Sequence, residues 1–236
     1  MIRKIGLPWA FRVLGALAFT VNTTCVLLIR DRSETVKITK VTMKISLFKS
    51  SEFDILIGFS CFTIFGYFIL IYSLANYGED IGLTSAQASL ISGVFNLGQV
   101  IGRPLIGYFS DGVGRINMAG VTTLFAGVVC LAVSVNAQSY GLLMFFAIFE
   151  GLFADFWATI APSVAEVVGL EKMPYGMNLI WLNIVVPSTF SEPIALALNS
   201  ATGKYLSAQL FAGFMYIAAS VCLGILRFQR KRRDNV

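Results

Sequence analysis

The chain has 236 residues, of which 56% are hydrophobic and 13% charged, with a net charge of +5. Soluble domains carry about a quarter charged residues, so lipid rather than water is the main solvent of this sequence. It contains no histidine, which excludes His-based acid–base catalysis, His proton relays and the usual zinc sites; its basic clusters at 30–49 and 227–233 lack the interleaved aromatics of a nucleic-acid-binding face.

A membrane-spanning helix needs about 20 mainly apolar residues. Seven such stretches follow in order, at 7–29, 55–77, 86–108, 118–135, 140–164, 177–198 and 206–226, and they predict an all-α membrane protein of about seven transmembrane helices. The first follows Met-Ile-Arg-Lys with no small-residue cleavage site, so it is expected to be a retained span. Asn22-Thr23-Thr24 matches a glycosylation sequon, but it lies inside that apolar run, where no glycosylation can occur. The long connector 30–54 carries Arg30, Arg32, Lys37, Lys40, Lys44 and Lys49 around an amphipathic centre suited to a membrane surface. The other connectors, 78–84, 110–117, 136–139, 166–176 and 199–205, are short and polar. Cys25, Cys61, Cys130 and Cys222 are widely spaced within apolar runs, which reads as small core residues rather than a disulfide framework.

Lys and Arg accumulate on the cytoplasmic side of membrane proteins. Placing 30–54 inside makes 110–117, 166–176 and the basic tail 228–236 cytoplasmic as well, while 78–84 and 199–205 face away. Arg3, Lys4 and Arg12 then fall on the wrong side, as expected if the chain is cut out of a longer protein.

Strongly polar side chains inside a bilayer cost several kcal/mol unless they face protein or a water-filled path. In the third span Ser85, Ser89, Ser92, Asn96, Gln99 and Arg103 recur every three or four residues and so share one helical face. Two readings stay open for this stripe, the lining of a solute path and a hydrogen-bonded seam between helices. Gly98 and Gly102 form a separate strip in small-xxx-small spacing, suited to close helix contact. In the sixth span Asn178, Trp181, Ser188 and Glu192 share a face, and Pro187 is expected to interrupt the helix there. The fifth span holds Glu150 and Asp155 on nearly opposite sides; Glu150 shares its face with Trp157 and is the cavity-side candidate. Arg103 lies eight residues before Asp111, roughly 12 Å along a helix, which puts a guanidinium inside the hydrocarbon. Its planar fork suits a carboxylate, whether transported or belonging to the protein, and snorkelling to the surface is the alternative.

After the striped helix the sequence reads Gly102-Arg103-Pro104-Leu105-Ile106-Gly107-Tyr108-Phe109-Ser110-Asp111-Gly112-Val113-Gly114-Arg115. Its glycines allow close helix approach and chain reversal. Asp111 can sit at the positive end of the next helix, and Arg115 can pair with it or with lipid phosphate. The glycines follow a spanning helix rather than a strand and no Gly-Lys-Ser/Thr is present, so this is no nucleotide loop and no cofactor site is expected.

This stretch resembles the signature loop of the major facilitator superfamily, in the copy between its eighth and ninth helices. Trp157-Ala158-Thr159-Ile160-Ala161-Pro162, Ala165–Lys172 and Phe190-Ser191-Glu192-Pro193-Ile194-Ala195-Leu196 are similar to the C-terminal half of fungal monocarboxylate-transporter-like permeases. The resemblance implies that 1–29 is the family's sixth helix, 30–54 part of its central cytoplasmic loop and 55–227 the whole second six-helix bundle, with five helices missing. It also implies a role in substrate carboxylate binding for Arg103 before Pro104. The acidic residue associated with proton coupling one turn earlier is here Gln99, which does not titrate, so Glu150 or Glu192 would have to substitute.

Transport of a small organic anion by alternating access is therefore the expected function, with Ser92, Asn96, Gln99, Arg103, Glu150, Trp181 and Glu192 at the solute and Gly102, Gly107, Asp111, Gly114 and Arg115 at the gate. The rival is a truncated or split half-transporter without activity of its own. A membrane enzyme finds little support, because the polar residues form stripes rather than a catalytic cluster. The expected partners are membrane lipid, the solute, and an N-terminal half-transporter or a second copy; the plasma membrane is expected rather than a vacuolar or other internal one.

Overall fold

A computed structural model of the chain describes residues 6–28, 47–48, 50–133, 136–154 and 156–234. Most of the 30–54 connector and Asp155 lie outside these residues. The described structure is helical throughout: α1 (Leu7–Leu28), α2 (Ser51–Asp80), α3 (Ser85–Val113), α4 (Arg115–Val133), α5 (Tyr140–Phe153), α6 (Phe156–Val168), α7 (Met173–Thr202) and α8 (Leu206–Asp234). The chain divides into two units, 1–41 and 42–236.

The first unit contains α1. Its polar side chains bond to carbonyls of their own helix, Thr20 to Ala16 at 2.8 Å, Asn22 to Ala18 at 2.7 Å and Thr24 to Thr20 at 2.8 Å. Such back-bonding satisfies polar groups where no water is available.

In the second unit the helices outrun the apolar stretches. The 55–77 stretch becomes a 30-residue helix, about 45 Å long, with Glu52 and Asp54 in its first turn. Hydropathy marks only the roughly 30 Å hydrocarbon, whereas the helix continues through both headgroup layers. The connectors shrink accordingly, and the expected 110–117 loop is reduced to Gly114, whose φ of +96° is a conformation that favours glycine. Thr84 caps α3 in a reciprocal box with Gln87.

The basic tail is also helical, since α8 runs unbroken to Asp234. Pro187 does not interrupt α7, which passes through both Pro187 and Pro193. The hydroxyls of Ser188, Thr189 and Ser191 donate to carbonyls one turn back, at Ile184, Val185 and Pro187. The 140–164 stretch departs the other way. It breaks at Ala154, which caps α5 with its N–H on the Glu150 carbonyl at 2.7 Å, and α6 starts at Phe156.

α2 is the centre of the bundle, packing on α3, α6, α7 and α8, while α8 also packs along α4, and α3 along α5. Two apolar clusters are stacked along α2: Phe53, Leu56, Phe59 and Ile64 meet Phe156, Ile180 and Leu223 toward the basic end. Tyr67, Leu70 and Leu74 meet Phe95, Phe146 and Tyr216 toward the other. Lipid tails are as apolar as these side chains, so close packing rather than water exclusion holds the helices together. Among the described residues six stretches are long and apolar enough to cross a membrane: 8–28, 51–80, 115–133, 140–168, 173–202 and 206–233. α3 is not among them, because its polar stripe lowers its hydropathy; its length and packing make it the remaining crossing.

Candidate functional site

The two strips that the sequence distinguishes on α3 have different neighbours. A Cβ at Gly98 would lie 2.9 Å from the Ile148 carbonyl oxygen, and one at Gly102 would lie 2.5 Å from that of Leu152. Gly151 of α5 meets the Phe95 carbonyl in the same way. α3 and α5 therefore touch backbone to backbone, and Gly102 is a packing residue of that contact.

The polar strip begins with Ser92, half-buried with its hydroxyl unpartnered among the described residues, and Asn96, exposed and bonded to the Ser92 carbonyl at 2.8 Å. One turn on, Gln99 is buried, and its Oε1 accepts both Arg103 Nη2 at 2.9 Å and the Tyr67 hydroxyl at 3.2 Å. Arginine can only donate, so this contact fixes which end of the amide is oxygen. The buried Gln99 Nε2 has no hydrogen-bond partner among the described residues.

Tyr67 connects this polar group to an aromatic wall. Its ring meets Trp157 edge-on at 6.4 Å, and Trp157 stacks on Trp181 at 5.4 Å and 21°. Arg103, Gln99, Tyr67, Trp157 and Trp181 thus form one connected surface drawn from α2, α3, α6 and α7. Cys61 and Asn183 add a further α2–α7 contact at 2.8 Å. Tyr67 was not a candidate from sequence; a tyrosine hydroxyl in the middle of a spanning helix, where it needs a partner, was the available signal.

The carboxylates divide. Glu192 is exposed on α7, the helix of Trp181. Glu150 is not on the surface with Arg103: it is fully buried, both its oxygens lack hydrogen-bond partners among the described residues, and it lies within electrostatic reach of the buried Tyr216. The break at Ala154 ends the helix that would have put Glu150 and Trp157 on one face.

At the basic end Asp111 lies in the last turn of α3 rather than in a free loop, and pairs with Arg115 at 3.8 Å across Gly114. Gly107 has open space where a Cβ would be. A second set of charges, unanticipated as a network, joins three helices. Arg230 of α8 contacts Glu166 of α6 at 2.9 Å and Glu52 of α2 at 3.9 Å, and Arg233 contacts Glu52 at 2.6 Å. The pattern was hidden because its members lie far apart in sequence.

Six crossings, one of them the central α2, with a polar and aromatic strip on one face and an ion-paired basic end, define a polytopic membrane bundle of the transporter class. The chain belongs to the Major Facilitator Superfamily, which it matches over residues 55–236, a family of transporters rather than enzymes. It is 26% identical to the probable transporter MCH2 of Saccharomyces cerevisiae across 100% of this chain and 52% of that protein. It is 30% identical to human monocarboxylate transporter 12 across 78% of this chain and 37% of that protein. The crystal structure of the E. coli fucose:proton symporter FucP superposes with a TM-score of 0.70 at 14% identity, covering 94% of this chain and 55% of that one, a likeness of fold. The chain spans about half the length of the curated relatives it matches.

Proposed function

We propose that this chain is the C-terminal half of an alternating-access carrier for a small organic anion bearing a carboxylate. The observation that carries the proposal is the connected surface of Arg103, Gln99, Tyr67, Trp157 and Trp181. A guanidinium offers five N–H donors in a fork that matches a carboxylate, and its contact with Gln99 helps orient it. The tryptophan pair gives the organic part of a solute an apolar wall. Ser92, Asn96 and Glu192 extend the path, while Glu150 is the buried carboxyl for a coupled proton. Human monocarboxylate transporter 12 and the fucose:proton symporter lend the anion and the coupling their support by likeness alone.

In this proposal 55–227 forms one wall of the path and a second six-helix bundle, from an N-terminal half or a second copy, forms the other. Residues 30–54, Gly114 and the end of α8 face the cytoplasm, by the distribution of Lys and Arg. Gly102, Gly107, Asp111, Gly114 and Arg115 belong to the gate at that end, and the plasma membrane is the location to test first by fractionation. The experiment is uptake of a labelled panel of monocarboxylates by cells expressing the chain alone and with a matching N-terminal half. Saturable uptake that requires both halves and is lost in Arg103→Ala is expected. Uptake indifferent to Arg103 would overturn the assignment of the anion site.

A further inference from the structure

Away from the candidate path, the surface between α4 and α8 combines an apolar groove with a cationic rim. The groove is lined by Gly120, Val121, Leu124, Ser220, Leu223 and Gly224. It adjoins a cavity of about 320 Å³ whose lining includes Glu166, Arg230 and Lys231, and Ile116, Asn117 and Arg227 line both. Val121, Leu124, Val221 and Ile225 are exposed around the groove, an apolar surface that belongs against lipid.

The charges at the rim do not balance. The carboxylates of Glu52 and Glu166 are taken by Arg230 and Arg233. Arg227 and Lys231, one turn apart on α8, are exposed and have no ion pair among the described residues. Depth matches charge: the apolar run of α8 ends at Leu226, so Arg227 stands at headgroup level. Ser220 to Gly224 lie roughly 5–10 Å deeper along the helix. The groove exists because α8 carries no side chain at Gly224, where a Cβ would meet nothing within 4 Å. The one hydroxyl in its floor, Ser220, is already bonded to the Gly120 carbonyl at 3.0 Å, which leaves the floor apolar.

We propose that the α4–α8 groove holds one anionic phospholipid, its phosphate between Arg227 and Lys231 and an acyl chain along Gly120, Leu124 and Gly224. A soluble anion would use only the rim. The apolar continuation of the site into the hydrocarbon commits it to a lipid, and the uncompensated positive charge favours anionic over zwitterionic headgroups.

The test uses the purified full chain and native mass spectrometry of lipids retained from mixed phosphatidic acid and phosphatidylcholine micelles. Preferential retention of one phosphatidic acid is expected. Arg227→Gln combined with Lys231→Gln should lower that preference roughly tenfold, with phosphatidylcholine retention unchanged. Gly224→Leu, which fills the groove and leaves both cations in place, should weaken retention of long-chain but not short-chain phosphatidic acid, so the two arms do not depend on one variant folding. Equal retention of both lipids, indifference to both sets of changes, or displacement by inorganic phosphate as effective as by phosphatidic acid would each overturn the proposal.

Discussion

On α3, the face of Gly98 and Gly102 lies directly on the backbone of α5, whereas the face of Ser92, Asn96, Gln99 and Arg103 keeps Asn96 and Arg103 exposed. The first face has no side chains to adjust and admits no substitution. The second holds its polar groups by side-chain contacts that can be changed one at a time. A single helix thus separates its packing face from the face proposed to meet the solute by a rotation about its own axis.

The largest expected effect lies on the glycine face. Gly102→Leu starts a side chain 2.5 Å from the Leu152 carbonyl oxygen, against backbone that cannot move aside. Overpacking costs about 1–3 kcal/mol where neighbours can shift, so here the chain should lose its monodisperse peak in detergent while an Asn96→Leu control keeps it. A well-behaved Gly102→Leu with an unchanged melting temperature would show that the close contact does not hold the helices.

Next comes Arg103→Lys in a carrier assembled with its N-terminal half. The charge stays but the planar fork is lost, so apparent affinity for a carboxylate solute should fall about tenfold or more with the melting temperature unchanged. Unchanged affinity with a shifted balance of inward and outward states would move Arg103 to the gate. Tyr67→Phe should have a smaller effect, because it removes one of two donors to Gln99; a loss of about 1 kcal/mol predicts roughly a fivefold drop. The change should add little once Gln99→Leu is present, and a double-mutant cycle measures that coupling. The smallest change in stability belongs to Asp111→Asn, which breaks an exposed 3.8 Å pair of a kind worth about 0–1 kcal/mol. Solute affinity should hardly move, while the exchange rate between conformations, followed by single-molecule fluorescence, should.

The crossings, α3 among them, were legible because apolar length is a strong signal, and the polar face of α3 was legible because its residues recur at a helical period. The glycine strip could be read from spacing alone, since only close contact needs two glycines four residues apart. The break at Ala154 could not, because no glycine or proline stands between Phe153 and Phe156 to mark it. The burial of Glu150, four residues before that break, was likewise not written in any local pattern. Pro187 misled in the other direction, since α7 continues through it and a local pattern does not show whether a proline bends or ends a helix. Tyr67 and the Glu52–Arg230–Glu166 group depend on contacts between distant helices, which no local pattern encodes.

Gly114 joins α3 to α4 with one residue, and this has a bearing on how the protein is made. α3 is less apolar than α4. With a single residue between them the two helices are expected to enter the bilayer as one helical hairpin, the more apolar α4 carrying α3. The tightest turn among the described residues thus ties the entry into lipid of the helix with the proposed solute-facing residues to the synthesis of its neighbour.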